Sequence, residues 1–301
     1  MALFSNAVNV DSQGRDIAQH GTAAFPVASY LDDLSRYDID WHWHEEMEAV
    51  VLTAGSVVFA AGNRKFTLQA GEGFFINSGA LHGAWSLDTS GCQFHSLVFH
   101  PRLVGGSTDS VFYQNYVKPL MENKAMEGFV LSPRIPWQAD ACVAIESAWQ
   151  ACASETVGYE FQVRTNLSQL LCLLQSSSPD VIAVNKKQQR SAERMKGMLR
   201  FIHDRFAQDL NTEQIAASVG ISESECLRCF RTTIGTTPIQ YLRQYRIQKS
   251  AQMLADSQNS VTEVAARCGF QDVSYFTKTF RELRGCAPSE YRKQFAEETA
   301  D

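Results

Sequence analysis

Four side chains able to hold a divalent ion fall close together in the sequence, as His42-x-His44-x3-Glu48 followed by His82. On an extended strand, residues two apart share a face, so His42 and His44 point the same way. A glutamate and a third histidine from neighbouring strands would complete a set of four nitrogen and oxygen ligands. Six of the seven histidines lie in the first hundred residues, so the clustering is not general histidine richness. Spacing alone leaves three uses open: a metal site, a metal-free pocket for a polar small molecule, or core histidines satisfied by one another. The candidate pocket is Trp41, His42, His44, Glu48, His82 and Trp85, with His42, His44, Glu48 and His82 as the metal set. Cys226-x-x-Cys229 is a weaker signal, because no second ligand pair follows at finger spacing and i, i+3 is core spacing on a helix.

The elements that must position these groups are legible from patterning. The chain has 301 residues, 45% hydrophobic and 20% charged, enough for two or three cored domains and unlike collagen or a disordered chain. From Ile39 to Phe99 short runs with period two (EAVVLTA, SVVFAA, RKFTLQ, CQFHSLVF) alternate with Gly-rich punctuation, predicting an antiparallel barrel or sandwich over residues 1–105. Residues 106–177 change to helical spacing, in STDSVFYQNYVKPLM, ADACVAIESAWQACASE and YEFQVRTNLSQLLCLLQ. Residues 106–177 are expected to be a helical dimerisation segment, with the homodimer interface on the helices from about Ala139 to Gln175, whose last run is dense in leucine: Leu167, Leu170, Leu171, Leu173 and Leu174. A polar stretch with Pro179 predicts a linker over 178–192. No apolar run approaches ~18 residues and the N-terminus lacks a signal pattern, so a cytoplasmic protein without a membrane partner is expected. The eight scattered cysteines read as reduced thiols, none with an evident cationic partner and resolving mate.

The net charge of -6 conceals a division. Residues 1–185 carry 9 basic against 19 acidic residues, residues 186–296 carry 18 against 11, and 297–301 form an acidic tail. Only the back half suits a polyanion. Its helices have readable ends. Asn211 with Gln214, Ser222 with Glu225, and Ser260 with Glu263 predict capping boxes, and Asp272 predicts a further cap. Gly220 and Gly269 end short helices, and Thr237-Pro238 opens a long one. Gly220, Phe230, Pro238 and Tyr241 recur as Gly269, Phe280, Pro288 and Tyr291, offset by 49, 50, 50 and 50. A duplicated helix-turn-helix in a basic region predicts binding to double-stranded DNA. On the first recognition helix Cys226, Cys229 and Phe230 face inward, leaving Ser224, Leu227, Arg228 and Arg231 outward, with Arg228 suited to guanine O6 and N7. On the second, Phe276 and Phe280 face inward and Val273, Ser274, Thr277 and Lys278 outward. Arg243, Arg246, Arg281 and Arg284 are candidate phosphate contacts or solvated helix faces.

Residues 193–296 resemble the DNA-binding domain of the AraC/XylS (arabinose-operon regulator) family. The likeness rests on IAASVGISESECLRCFRTTIGTTPIQYLRQYRI and, more specifically, EVAARCGFQDVSYFTKTFRELRGCAPSEYR. It implies two recognition helices in successive major grooves ~34 Å apart, spaced by the connecting helix from Pro238. Val273, Ser274, Thr277 and Lys278 match that family's base-contact positions. His42-x-His44-x3-Glu48-x6-Gly55 and Gly71-x5-Asn77-x-Gly79-x2-His82 resemble the two cupin motifs, with Asn77 in place of the usual proline. The implied fold is multidomain: an all-β cupin-like (double-stranded β-helix) barrel with a helical extension, then an all-α double helix-turn-helix domain. The implied function is a non-enzymatic transcriptional regulator, an activator that senses a small-molecule effector and contacts RNA polymerase. The alternative is a metal-dependent cupin oxygenase or isomerase tethered to DNA, whose cofactor would be a divalent metal.

Overall fold

The computed structural model describes residues 16, 18–34, 38–87, 91–123, 125–177, 186–256 and 259–298. The chain divides into two compact units, Met1–Ala192 and Glu193–Asp301.

The first unit holds two antiparallel sheets. Strands β1 (Val27–Asp33), β3 (Met47–Ala54), β6 (Gly73–Ile76), β8 (Gln93–Phe99) and β9 (Gly128–Leu131) form one, in the order β1-β8-β3-β6-β9. Strands β2 (Ile39–His42), β4 (Ser56–Ala61), β5 (Arg64–Gln69) and β7 (His82–Ser86) form the other, in the order β2-β7-β4-β5. Val50, Leu52, Val57, Phe59, Phe74, Ile76 and Phe94 make the core between them. The larger sheet is covered on its other face too, where Met47, Ala49, Phe75, Leu97 and Phe99 meet the helices. That double burial is why β6 reads as an unbroken apolar run rather than an alternation.

Helices α1 (Arg102–Gly105), α2 (Lys118–Glu122), α3 (Pro136–Ser154) and α4 (Tyr159–Ser177) follow, with a π-helical turn at Tyr113–Val117 running into α2. Two expectations change here. The region from residue 106 is not wholly helical: β9 lies within it and pairs with β6 from Gly73↔Leu131 to Ile76↔Gly128. Close packing fixes a glycine at the end of that strand, since a Cβ on Gly128 would lie 2.6 Å from both Ala61 Cβ and Phe74 Cζ. The leucine stripe, in turn, is spent inside the unit. Leu167, Leu170, Leu171 and Leu174 are fully buried against α3 and the sheet, so they cannot present an interface to a second copy. Amphipathic spacing shows that a face is covered, not what covers it.

Helix α5 (Lys186–Arg205) leads into the second unit, where α6 (Thr212–Ala217), α7 (Glu223–Thr233), α8 (Pro238–Asp256), α9 (Val261–Arg267), α10 (Val273–Arg284) and α11 (Pro288–Glu298) follow. Of the expected linker at 178–192, residues 178–185 lie outside the described residues and 186–192 form the first turns of α5. Of the expected acidic tail, Glu297 and Glu298 belong to α11 and the rest lies outside the described residues. Capping boxes stand at Asn211/Gln214 and Ser260/Glu263, and Asp272 caps α10. Gly269 takes φ +81°, and a Cβ there would strike the Ala207 carbonyl oxygen at 2.8 Å, so the turn between the paired helices needs glycine. Phe276 and Phe280 pack with Ile247, Leu254, Val264 and Cys268, which seats the second helix-turn-helix on α8.

Candidate metal centre and nucleic-acid interface

His42, His44, Glu48 and His82 come together at the end of β2, with His44 two residues beyond that strand in the turn leading to β3. His42 and His82 lie directly opposite across β2 and β7, and Glu48 enters from β3 of the other sheet. All four are buried, and one ligand atom from each lies within 4.8 Å of the others. Nε2 of His82 and of His44 stand 3.2 and 3.5 Å from the same Glu48 carboxylate oxygen.

The outer nitrogens explain the orientation. Nδ1–H of His42 donates to the Asp40 carbonyl at 2.8 Å, that of His44 to Glu46 at 3.0 Å, and that of His82 to Ala80 at 2.9 Å. A carbonyl only accepts, so each Nδ1 carries the proton and each neutral ring turns an Nε2 lone pair inward. Nε2 of His44 and of His82 are buried without a hydrogen-bond partner. Lone pairs facing a carboxylate at these distances repel unless a cation lies between them, and donor separations of 3.2–3.5 Å suit metal–ligand bonds of about 2 Å. The residues therefore fit a divalent metal. Burial, with repulsion from His82 and His44, pushes the His42 pKa down to about 3, which keeps it neutral and able to ligate. Burial opposes ionisation of Glu48, but the close approach of His44 and His82 outweighs it and holds its carboxyl below the usual carboxylate range.

His20, Tyr30 and Asp16, which the spacing did not reveal, lie beside this cluster. The ring of His20 is 5.5 Å from that of His44; its Nδ1 is 2.7 Å from the Tyr30 hydroxyl, and its Nε2 is 3.4 Å from Asp16. Burial raises the Asp16 pKa, yet the neighbouring His20 and the hydrogen bond from the Ala18 amide outweigh it and leave the carboxyl below its ordinary value. Trp41 and Trp85, by contrast, are not brought to the quartet. Trp85 is three residues beyond His82 and so on the other side of β7, where Trp41 packs on it at 5.4 Å. The expected pocket reduces to the four ligands.

In the second unit Ser224, Arg228, Arg231, Val273, Ser274 and Lys278 are exposed, and Leu227 and Thr277 are half-buried. Val273, Ser274, Thr277 and Lys278 line a shallow groove of about 600 Å³ along α10, joined by Arg281 and Glu282. Arg281 lies three and four residues beyond Lys278 and Thr277, so the stripe that gave those residues also reaches it. Arg246 departs from the phosphate reading. Its Nε and Nη2 donate to the carbonyls of Phe206 and Gln208 at 2.6 and 2.7 Å, and its guanidinium lies over Phe270, so it fastens α8 to the chain leaving α5. Cys226 and Cys229 are buried on the inner face of α7. Ser222 caps α7, but Glu225 does not complete the expected box, because its carboxylate is paired with Arg194 at 2.6 Å.

Residues 27–171 match the model of an AraC-like ligand binding domain and residues 215–294 that of a helix-turn-helix domain. The chain is 29% identical over 287 residues to the HTH-type transcriptional regulator YdeC of Bacillus subtilis, covering 94% of this chain and 97% of YdeC. It is 28% identical over 258 residues to the HTH-type transcriptional activator RhaS of Klebsiella pneumoniae, covering 84% and 87%. Among solved structures, an apo form of ToxT from Vibrio cholerae aligns over 91% of this chain and 98% of its own, with 14% identity and a TM-score of 0.49. Among the described residues no helix is long and apolar enough to cross a membrane.

Proposed function

The chain belongs to the AraC family of DNA-binding transcriptional regulators, and we infer that it couples occupancy of the His42–His44–Glu48–His82 cluster to promoter binding by its two recognition helices. The cluster supports this reading because the buried Nε2 atoms of His44 and His82 lack a hydrogen-bond partner there, a partner that a cation would supply. A divalent ion there would supply Lewis acidity toward an oxygen or nitrogen of an effector. The chain's own residues would hold it: the three Nδ1–carbonyl bonds fix the rings, and Glu48 would supply the negative charge. The effector is a divalent ion or a small molecule that binds to one.

Ser224, Leu227, Arg228, Arg231, Val273, Ser274, Thr277 and Lys278 read the operator in this account. A coupling free energy of ~1–3 kcal/mol between the two halves gives a 5- to 150-fold response. The output is activation through contact with RNA polymerase, in keeping with a relative named as an activator. The protein works in the cytoplasm as a homodimer through a surface other than the buried leucines, and it does not turn over a substrate. The test is operator binding by the full chain, metal-loaded and chelated. A change in affinity of at least fivefold supports the coupling. Equal affinity in both states, or catalytic turnover by the loaded protein, would overturn it.

A further inference from the structure

The third residue of a helix after its cap has a default use in this DNA-binding unit, which is to accept the amide of the cap residue. Gln214 does so for Asn211 at 3.0 Å, Gln240 for Thr237 at 3.2 Å, Glu263 for Ser260 at 2.7 Å and Glu290 for Ala287 at 2.7 Å. Glu225 occupies the same place on α7, and the Ser222 hydroxyl accepts its amide at 3.2 Å. Its carboxylate nevertheless turns away from the cap. Oε1 lies 2.6 Å from Nη1 of Arg194 on α5 and 3.5 Å from Nη2 of Arg228, one turn along the recognition helix. Among the described caps, wherever this residue is Glu or Gln the rule is obeyed four times and broken once, and the exception, beside a DNA-facing arginine, calls for a use.

We propose that Glu225 is a positioning residue for base reading by Arg228, and that Arg194 holds it in that role. The proposal rests on the reading of Arg228 as a base contact. A guanidinium presents a planar fork, and a carboxylate against Nη2 fixes the plane while the remaining N–H groups stay available for guanine O6 and N7. A side chain ordered before binding loses less freedom on docking. Arg194, bonded to the same oxygen, draws the carboxylate off its default capping path. The second recognition helix lacks the device. Fifty residues on, Glu225 is replaced by Tyr275 and Arg228 by Lys278, which stands 4.0 Å from Glu282 with its side chain 76% exposed. The two half-sites are thus read differently: a preset fork at α7, and a loosely held ammonium beside Val273, Ser274 and Thr277 at α10. Exposed ion pairs add little to stability, so the value of this one lies in geometry.

The experiment selects binding sites for the full chain from a randomised duplex pool. Affinity is then measured for the best site and its single-base-pair variants, using Arg228→Ala, Glu225→Gln, Arg194→Ala and the Glu225→Gln/Arg194→Ala double. Arg228→Ala is expected to erase preference at one base pair. Glu225→Gln and Arg194→Ala are each expected to weaken that same preference by about three- to tenfold, without lowering the salt slope, and the double should be no worse than either. Full retention of the preference by Glu225→Gln, while Arg228→Ala loses it, would sink the positioning role and leave the base reader standing. Loss of affinity on every sequence alike, with a lowered Tm, would mark Glu225 as structural and equally overturn the proposal. If Arg228→Ala keeps every base preference, the base-reader reading itself fails, and the proposal with it.

Discussion

The indole N–H of Trp149 donates to the backbone carbonyl of Tyr30 at 2.8 Å, fastening helix α3 to the edge strand β1. The hydroxyl of the same tyrosine is hydrogen-bonded to His20, whose ring neighbours His44 of the buried quartet. On its far side Trp149 stacks on His95 at 3.5 Å, and His95 is hydrogen-bonded to Glu146 of α3. Tyr30 therefore touches His20, beside the cluster, with its side chain and the helical layer with its backbone. Trp149→Phe keeps the ring and removes the bond. If this contact carries the coupling, the variant should bind metal as the parent does, yet show a two- to tenfold smaller metal effect on DNA affinity, of the order set by ~0.5–1.5 kcal/mol per hydrogen bond. An unchanged response would place the route elsewhere.

Elemental analysis of protein purified without an affinity tag should find about one divalent ion per chain, and His44→Ala should lose it, because three ligands remain where four converged. Chelation should lower the Tm of the sensory unit in the parent and not in the variant. A parent that is metal-free and indifferent to chelators would leave the quartet as a hydrogen-bonded polar core.

Leu170→Asp should unfold the sensory unit rather than split a dimer, since Leu170 and Leu174 are enclosed by α3 and the sheet. Even the milder Leu170→Ala should cost about 2–5 kcal/mol of stability. Denaturant unfolding of the full chain measures this. A folded monomer from either variant would return the stripe to an interface.

Arg246→Ala and Arg281→Ala should separate two kinds of arginine. The first removes two bonds to carbonyls and should lower the Tm while leaving the slope of log K against log salt unchanged. The second removes a charge from the groove wall and should cut the slope by about one with little effect on Tm. Reversed results would exchange the assignments.

His203 is buried with its Nε2 2.7 Å from the Tyr241 hydroxyl, and burial, with the nearby Lys249 charge, pushes its pKa down to about 3. The unfolded chain takes up a proton near pH 6.5 and the folded one does not, so this contribution is complete above 6.5 and falls away as the pH drops towards 3. The slope is at most about 1.4 kcal/mol per pH unit. Urea unfolding of the DNA-binding half between pH 7 and 4 should show the loss, and His203→Gln should flatten it. An equal acid sensitivity in the variant would assign the effect to other groups.

Local rules made much of this protein legible in its sequence. Asn211, Ser260 and Asp272 cap where their spacing indicates, because a cap depends on residues three apart, and the 50-residue recurrence exposed the duplicated unit. His42, His44, Glu48 and His82 were legible because residues two apart at a strand end share a face, although His44 lies just beyond β2. The same alternation places Trp41 and Trp85 on the opposite side, which proximity in sequence had masked. Strand β1 and the four-residue β9 were missed, since neither shows a period without its partner strand. The direction of the leucine stripe and the diversion of Glu225 depend on contacts with α3 and α5, which spacing on one helix does not encode.

Strand β9 also sets the order in which the sensory unit can be completed as it leaves the ribosome. Strand β6 acquires its outer neighbour only when residues 128–131 emerge, and the apolar face of Met47, Phe75, Leu97 and Phe99 stays bare until α3 and α4 follow. At ~5–20 residues per second, the roughly hundred residues from β6 to the end of α4 take about 5–20 s to make. For that interval the nascent chain displays an open sheet edge and an uncovered greasy surface, the features that chaperones bind and that aggregation exploits. A fragment cut at residue 105 would be arrested in that state.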